Sequence, residues 1–168
     1  MGQLEDGAVV RRFVFASFAF VSLTMLTTLA LALLAGCAGM GAGPAVDYEA
    51  IIAAPDRSDA DRKNDIRRKA VQLLAFTGIR PGMKVLDLAT GGGYSTELVA
   101  RTVGPTGVVY GQDSQNAAPG GLKAYATRAS SPAMKGVIRL IRPFDDPVPA
   151  EVRDLDAITF MFEYHEMP

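Results

Sequence analysis

The chain has 168 residues, a formal net charge of −1, one cysteine and one histidine. A near-neutral chain without a basic cluster argues against nucleic acid as a partner. One cysteine excludes an internal disulfide and a thiolate metal site, and one histidine disfavours zinc.

Residues 13–35 carry no charge and follow Arg11 and Arg12. A positive start, an apolar stretch and small residues before a break describe a secretory signal. Leu34-Ala35-Gly36-Cys37 resembles the bacterial lipobox, which implies acylation of Cys37 and cleavage just before it. Residues 1–37 are therefore expected as a signal peptide. The mature chain is then lipid-anchored on the periplasmic side of the cell envelope. The apolar run also reaches the roughly 20 residues that span a bilayer, so an uncleaved inner-membrane helix is the alternative. Residues 38–55, rich in Gly and Ala at their start, are expected as a flexible tether.

From Asp56 onward the pattern is that of one α/β domain. Ser58 or Asp59 caps a predicted helix that runs to Thr77 and stops at Gly78. The charges from Asp59 to Lys69 are read as its solvated face. Predicted elements then alternate: strand 83–88, helix 94–103, strand 108–112, helix 120–130, strand 137–141 and strand 155–162. Strands alternating with helices imply a Rossmann-like parallel sheet.

The most informative segment joins the first strand to the next helix: Val85-Leu86-Asp87-Leu88-Ala89-Thr90-Gly91-Gly92-Gly93-Tyr94. Backbone N–H groups at such a turn face ligands, and glycine permits close approach. A dinucleotide fingerprint requires a third glycine where Thr96 stands, which disfavours an NAD-type oxidoreductase. No Gly-Lys-Ser/Thr sequence follows, so the loop is not a Walker A motif.

Asp87, Ala89, Gly91 and Gly93 together resemble motif I of the class I S-adenosylmethionine (SAM) dependent methyltransferases, with alanine in place of the usual first glycine. The likeness extends over Gly78–Lys84 before the strand, Asp113 at the end of the second strand, and Leu155–His165 at the fourth. It is nearest to bacterial methyltransferases that carry export signals. It implies SAM as cofactor, with the loop against its methionine part and Asp87 helping to orient it. It also implies Asp113 on the ribose, and Asp145 or Asp146 near the adenine amino group. Tyr94 covers the cofactor, the loop 114–121 lies near the adenosine, and Glu163 or His165 faces an unidentified, small-molecule acceptor.

Each residue also has a plainer reading. Glycine-rich junctions occur without nucleotides, Asp113 can begin a turn with Ser114, Tyr94 can simply pack, and a lone histidine can be structural. The resemblance implies a seven-stranded sheet, whereas the sequence supplies the 3-2-1-4 half. Residues 56–168 are thus expected as the SAM-binding half of a domain. Ile158–Phe162 would then form an apolar edge open to self-association. A protein outside the inner membrane has no obvious SAM supply, so the rival expectation is a lipid-anchored binding or scaffold protein that kept the fold.

Overall fold

The computed structural model describes residues 45–162. The apolar leader, the lipobox with Cys37, and the acceptor-side candidates Glu163 and His165 lie outside the described residues. Among the described residues, no helix is long and apolar enough to cross a membrane.

The first helix, α1 (Tyr48–Ile52), falls within the segment expected as tether. Asp47 caps it, accepting from the Ala50 N–H at 2.9 Å. Tyr48, Ile51 and Ile52 pack against a core of Ala70, Leu74, Tyr94 and Leu98. The spacing i, i+3, i+4 puts those three on one helical stripe, so this end of the expected tether is folded onto the domain.

The single helix expected over 58–77 is two. Ser58 caps α2 (Asp59–Arg68), its hydroxyl accepting from the Asp61 N–H. Lys69 then takes a left-handed backbone, φ 51°, with its N–H on the carbonyls of Asp65 and Ile66. After that break α3 (Ala70–Thr77) ends at Gly78, φ 65°. The break separates a charged helix from an apolar one. The charged helix is also not simply a solvated face: Asp61 and Asp65 are buried, as is Arg57 before it. Carboxylates at i and i+4 share a face, and that face turns inward onto arginines.

Four parallel strands follow in the order β3-β2-β1-β4: β1 (Lys84–Leu88), β2 (Val108–Asp113), β3 (Val137–Ile141) and β4 (Ala157–Phe160). This is the order expected from the sequence. Register pairs Asp87 with Gly111 and Thr159, which aligns the carboxyl ends of the three strands around the loop. Helix α4 (Tyr94–Val103) lies on the face that carries Val85 and Val109. There Val99, Ala100, Val103 and Ile79 complete the main core. Burying each large aliphatic side chain contributes about 1.5–3 kcal/mol. Helix α5 (Pro119–Ala129) joins β2 to β3.

Strand β4 is shorter than the expected 155–162. It begins once the Asp156 carboxylate and N–H have docked on the N–H and carbonyl of Lys84, both at 2.8 Å. It ends because Phe162, φ 73°, bends away and lays its ring toward Tyr94.

Candidate functional site

Three residues of the loop after β1 have left-handed backbones: Ala89 (φ 54°), Gly91 (φ 49°) and Gly93 (φ 77°). Gln112 of β2 fixes the loop's first half, its side-chain oxygen accepting from the Ala89 N–H and its carbonyl from the Thr90 N–H. Gly93 N–H closes the turn on the Thr90 carbonyl at 2.7 Å. Ala89 therefore holds, with a methyl group, the conformation that favours glycine, at a cost of about 1–2 kcal/mol.

Asp87 lies beneath this loop. It is completely buried and accepts from three hydroxyls: Thr96 at 2.7 Å, Thr159 at 2.7 Å and Ser95 at 3.1 Å. Burial pushes its carboxyl above the ordinary range, and the hydroxyls oppose that rise. Asp87 thus braces β1 against α4 and β4 and does not line the cavity above the loop. Any orienting effect on a ligand passes through the loop.

That cavity, about 220 Å³, is lined by Ala89, Thr90, Gly92, Tyr94 and Ser95 from the loop and α4. Asn64 and Arg68 of α2, Ala124 and Arg128 of α5, and Met161 and Phe162 after β4 complete it. A larger cavity, about 790 Å³, opens near the starts of β2 and β3 beside Val109 and Val137. Parallel sheets bind ligands at the carboxyl ends of their strands, so the smaller cavity is the candidate site.

Tyr94 lines the cavity with its ring and donates its hydroxyl to Asp65 at 2.7 Å. Burial first and Asp65 second raise its phenol well above the usual value, so it stays protonated. Asp113 ends β2 nearby but is 5% exposed. It accepts from Ser114 N–H at 2.9 Å and from the Thr90 hydroxyl at 3.3 Å. The Asp–Ser turn is therefore formed, and the carboxylate is tied to the loop through Thr90. Asp145 and Asp146 are not brought to the cavity. Both are exposed beyond β3, where Asp146 pairs with Arg142.

An ion network behind the loop is absent from the sequence reading. Arg128 of α5 grips Asp61 through two nitrogens, at 2.8 and 3.0 Å, pairs with Glu97, and donates to the Gly92 carbonyl at 3.0 Å. Arg57 holds Asp65 at 2.7 Å, and Arg101 bridges Glu97 and Asp56. Burial raises the Asp61 carboxyl, but bonds from Arg128 and Ser58 outweigh this and hold it below the usual range. The available signal was the spacing of Asp61, Asn64, Asp65 and Arg68 at i, i+3, i+4 and i+7, one helical face. All four belong to the cavity wall or its support.

Helix α5 also lies close on the loop. A Cβ at Gly92 would stand 3.3 Å from Ala124 Cβ, and one at Gly121 would stand 3.5 Å from the Gly91 carbonyl carbon. The loop glycines therefore serve helix packing as well as any ligand. A cavity of this size is below the roughly 300–1,000 Å³ of whole small-molecule sites. It has room for one end of a larger ligand, between mixed polar and apolar walls and the loop.

A parallel 3-2-1-4 sheet with this loop at the tip of its central strand has the class I SAM-dependent methyltransferase-like fold. A family model described as Protein-L-isoaspartate(D-aspartate) O-methyltransferase (PCMT) matches residues 63–118, from α2 to the turn after β2. Among solved structures, a SAM dependent methyltransferase from Aquifex aeolicus is 24% identical with a TM-score of 0.49; the match covers 73% of this chain and 60% of that one. TrmN from Thermus thermophilus is 29% identical with a TM-score of 0.44, covering 53% and 26% respectively. A protein-L-isoaspartate O-methyltransferase is 22% identical with a TM-score of 0.43, covering 54% and 27%. The chain thus spans only part of the length of these structures. The family match spans residues 63–118, and the strand order is that of a Rossmann-like parallel sheet. Among curated proteins no similar sequence is found.

Proposed function

We propose that this chain carries the cofactor-binding portion of a SAM-dependent methyltransferase acting on a small-molecule acceptor. One observation carries the reading. Left-handed residues 89, 91 and 93 shape a loop at the carboxyl end of β1, open to a cavity, with Asp113 at the neighbouring strand tip. Bound SAM supplies an electrophilic methyl group on its sulfonium. The chain's own part is to hold and align: the loop takes the amino-acid end, and Tyr94 closes over it. Asp113 exchanges its long Thr90 bond for a ribose hydroxyl while Ser114 keeps the carboxylate aimed. Alignment of the acceptor is then the main source of rate. Glu163 and His165, which follow β4 in sequence, are proposed to face the acceptor.

The alternative is a binding or scaffold protein without chemistry. The close packing of α5 on the loop and the small cavity favour it. Calorimetry on the full-length chain separates the two. Saturable SAM binding is expected, weakened about 10- to 100-fold by Asp113→Ala through loss of charge-assisted hydrogen bonds. The variant also loses the 2.9 Å bond from the Ser114 N–H and should melt somewhat lower, so affinities are compared at a temperature where both proteins are folded. A folded wild type with no affinity for SAM or S-adenosylhomocysteine leaves only the scaffold.

The lipid anchor belongs to the same proposal and rests on Leu34–Cys37. Intact-mass analysis of protein from the envelope fraction should find a chain starting at an acylated Cys37, and Cys37→Ala should remain unprocessed. An unmodified chain retaining residues 1–36 selects the uncleaved inner-membrane helix. Self-association through β4 is proposed too; β4 is an outer strand of the described sheet and its Ile158 is 60% exposed.

A further inference from the structure

We propose that the outer face of α2 and α3 rests on an anionic lipid surface, with Ile66 and Phe76 entering it and the surrounding cations holding it. This face takes no part in the cavity above the glycine loop, so the inference stands apart from the cofactor reading.

Phe76 is 89% exposed and Ile66 82%, the highest values among the large hydrophobic side chains exposed in the described residues. One exposed apolar residue is ordinary. These two form part of a patch. Ile66 lines a groove of about 440 Å³ with Ile52 of α1 and with Lys69, Val71 and Gln72. Phe76 stands four residues beyond Gln72, on the same helical stripe. The break at Lys69 contributes to this arrangement. It lets Ala70 and Leu74 bury against Tyr94 and Leu98 while Phe76 stays in solvent.

Charge selects the partner. From Asp59 to Arg80 four cations are exposed, Lys63, Arg67, Lys69 and Arg80, against one exposed acid, Asp59. Asp61 and Asp65 are buried on Arg128 and Arg57, so turning these acids inward leaves positive charge outside. Among the described residues none of the four cations has a salt bridge; Arg67 donates to the neutral Asn64 side chain. Glu49 of α1 is the exposed acid lining the groove. The core of a protein interface is depleted of lysine. Here Lys63 adjoins Ile66 at three residues' spacing and Lys69 shares its groove. At a lipid surface that mixture is favourable. Basic head groups pair with phosphates, their stems lie along the acyl boundary, and the apolar side chains pass below. Each cation at an anionic surface strengthens binding by about five-fold.

The chain contains no tryptophan, so Phe76→Trp places a single reporter on this face without touching the core. The full-length variant is mixed with vesicles of phosphatidylglycerol and phosphatidylcholine in equal parts, or of phosphatidylcholine alone, with bromine on the acyl chains as quencher. Flotation checks that the protein is on the vesicles, so quenching reports which face meets the lipid. The indole should be quenched and blue-shifted on the anionic vesicles. Quenching should fall by about two-fold or more on phosphatidylcholine alone, in high salt, or when Lys63→Glu and Arg67→Glu are added. Ile66→Trp should repeat the pattern and serves if one reporter misfolds, whereas Ile158→Trp on β4 should not be quenched. Overturning results are unquenched reporters at both positions, equal quenching of Ile158→Trp, or quenching indifferent to lipid charge. A protein that does not float with the anionic vesicles also overturns it. So does a blue shift without quenching that grows with protein concentration, which would mean that a second copy covers the face.

Discussion

Replacing Arg128 with methionine is expected to cost about 3–5 kcal/mol, the range for removing one partner of a buried ion pair. Against a total stability of about 5–15 kcal/mol, that is enough to unfold a marginal domain. The arithmetic depends on what is left behind. Glu97 keeps Arg101 at 2.9 Å and Arg57 at 3.6 Å, so its charge stays compensated. Asp61 keeps only the Ser58 hydroxyl at 2.8 Å among its strong partners. The loss therefore falls mainly on Asp61, which is 4% exposed.

The pH dependence identifies it. In the wild type, the Asp61 carboxyl is held below its ordinary value of 3.8, so its stabilising contribution is present above that value and fades as pH falls through the lowered one. Without Arg128 burial is opposed only by Ser58 and Arg57, and the carboxyl moves upward from its wild-type value. The variant then protonates Asp61 at a pH where the wild type remains ionised. Denaturant unfolding should show the largest deficit near neutrality and a shrinking one as pH falls through the variant's carboxyl value toward the wild type's lower one. A deficit independent of pH means that Arg128 acts by packing α5 alone. A deficit below about 1 kcal/mol would place the network among exposed pairs of little worth.

This network marks the boundary between what was legible in the chain and what was not. The passage from Lys84 to Val103 was readable because its signals are local. An apolar run, an acid and a glycine turn each specify backbone without reference to distant residues. The 3-2-1-4 order came from the resemblance carried by the glycine loop; alternation of strands and helices by itself implied only a parallel sheet. Lys69 was not readable as a break, because a left-handed lysine has no local preference behind it. Only the separate docking of α2 on arginines and of α3 on Leu98 accounts for it. Arg57, Asp61 and Asp65 looked like solvated charge for a similar reason. Arg57 and Asp65 pair with each other across eight residues, but Arg57 meets Glu97 and Asp61 meets Arg128 only once the sheet and its helices are assembled. Asp113 was legible in position but not in state, since its bond to Thr90 depends on how β2 registers against the loop. Asp145 was read by analogy with a site after β3; it stands exposed beside Asp146, which pairs with Arg142.

Gly93→Ala is expected to destabilise the domain by about 2–5 kcal/mol, with two separable sources. The backbone, φ 77°, charges a non-glycine residue about 1–2 kcal/mol. The new methyl group would stand 3.0 Å from Tyr125 Cδ2 and 3.1 Å from Arg128 Cδ, and overpacking of this kind adds about 1–3 kcal/mol. The second contact joins the two predictions. Displacing the Arg128 stem disturbs its grip on Asp61, so Gly93→Ala and Arg128→Met should be strongly non-additive, the double variant losing less than the sum. Gly120→Ala is the matched control. A Cβ there meets nothing within 4 Å, and alanine in the first turn of α5 should be neutral or slightly stabilising. The informative result is a tolerated Gly93→Ala with normal melting. It would mean that α5 does not rest on the loop in solution, and that the helix leaves room for a whole cofactor where the structure leaves room for one end of it.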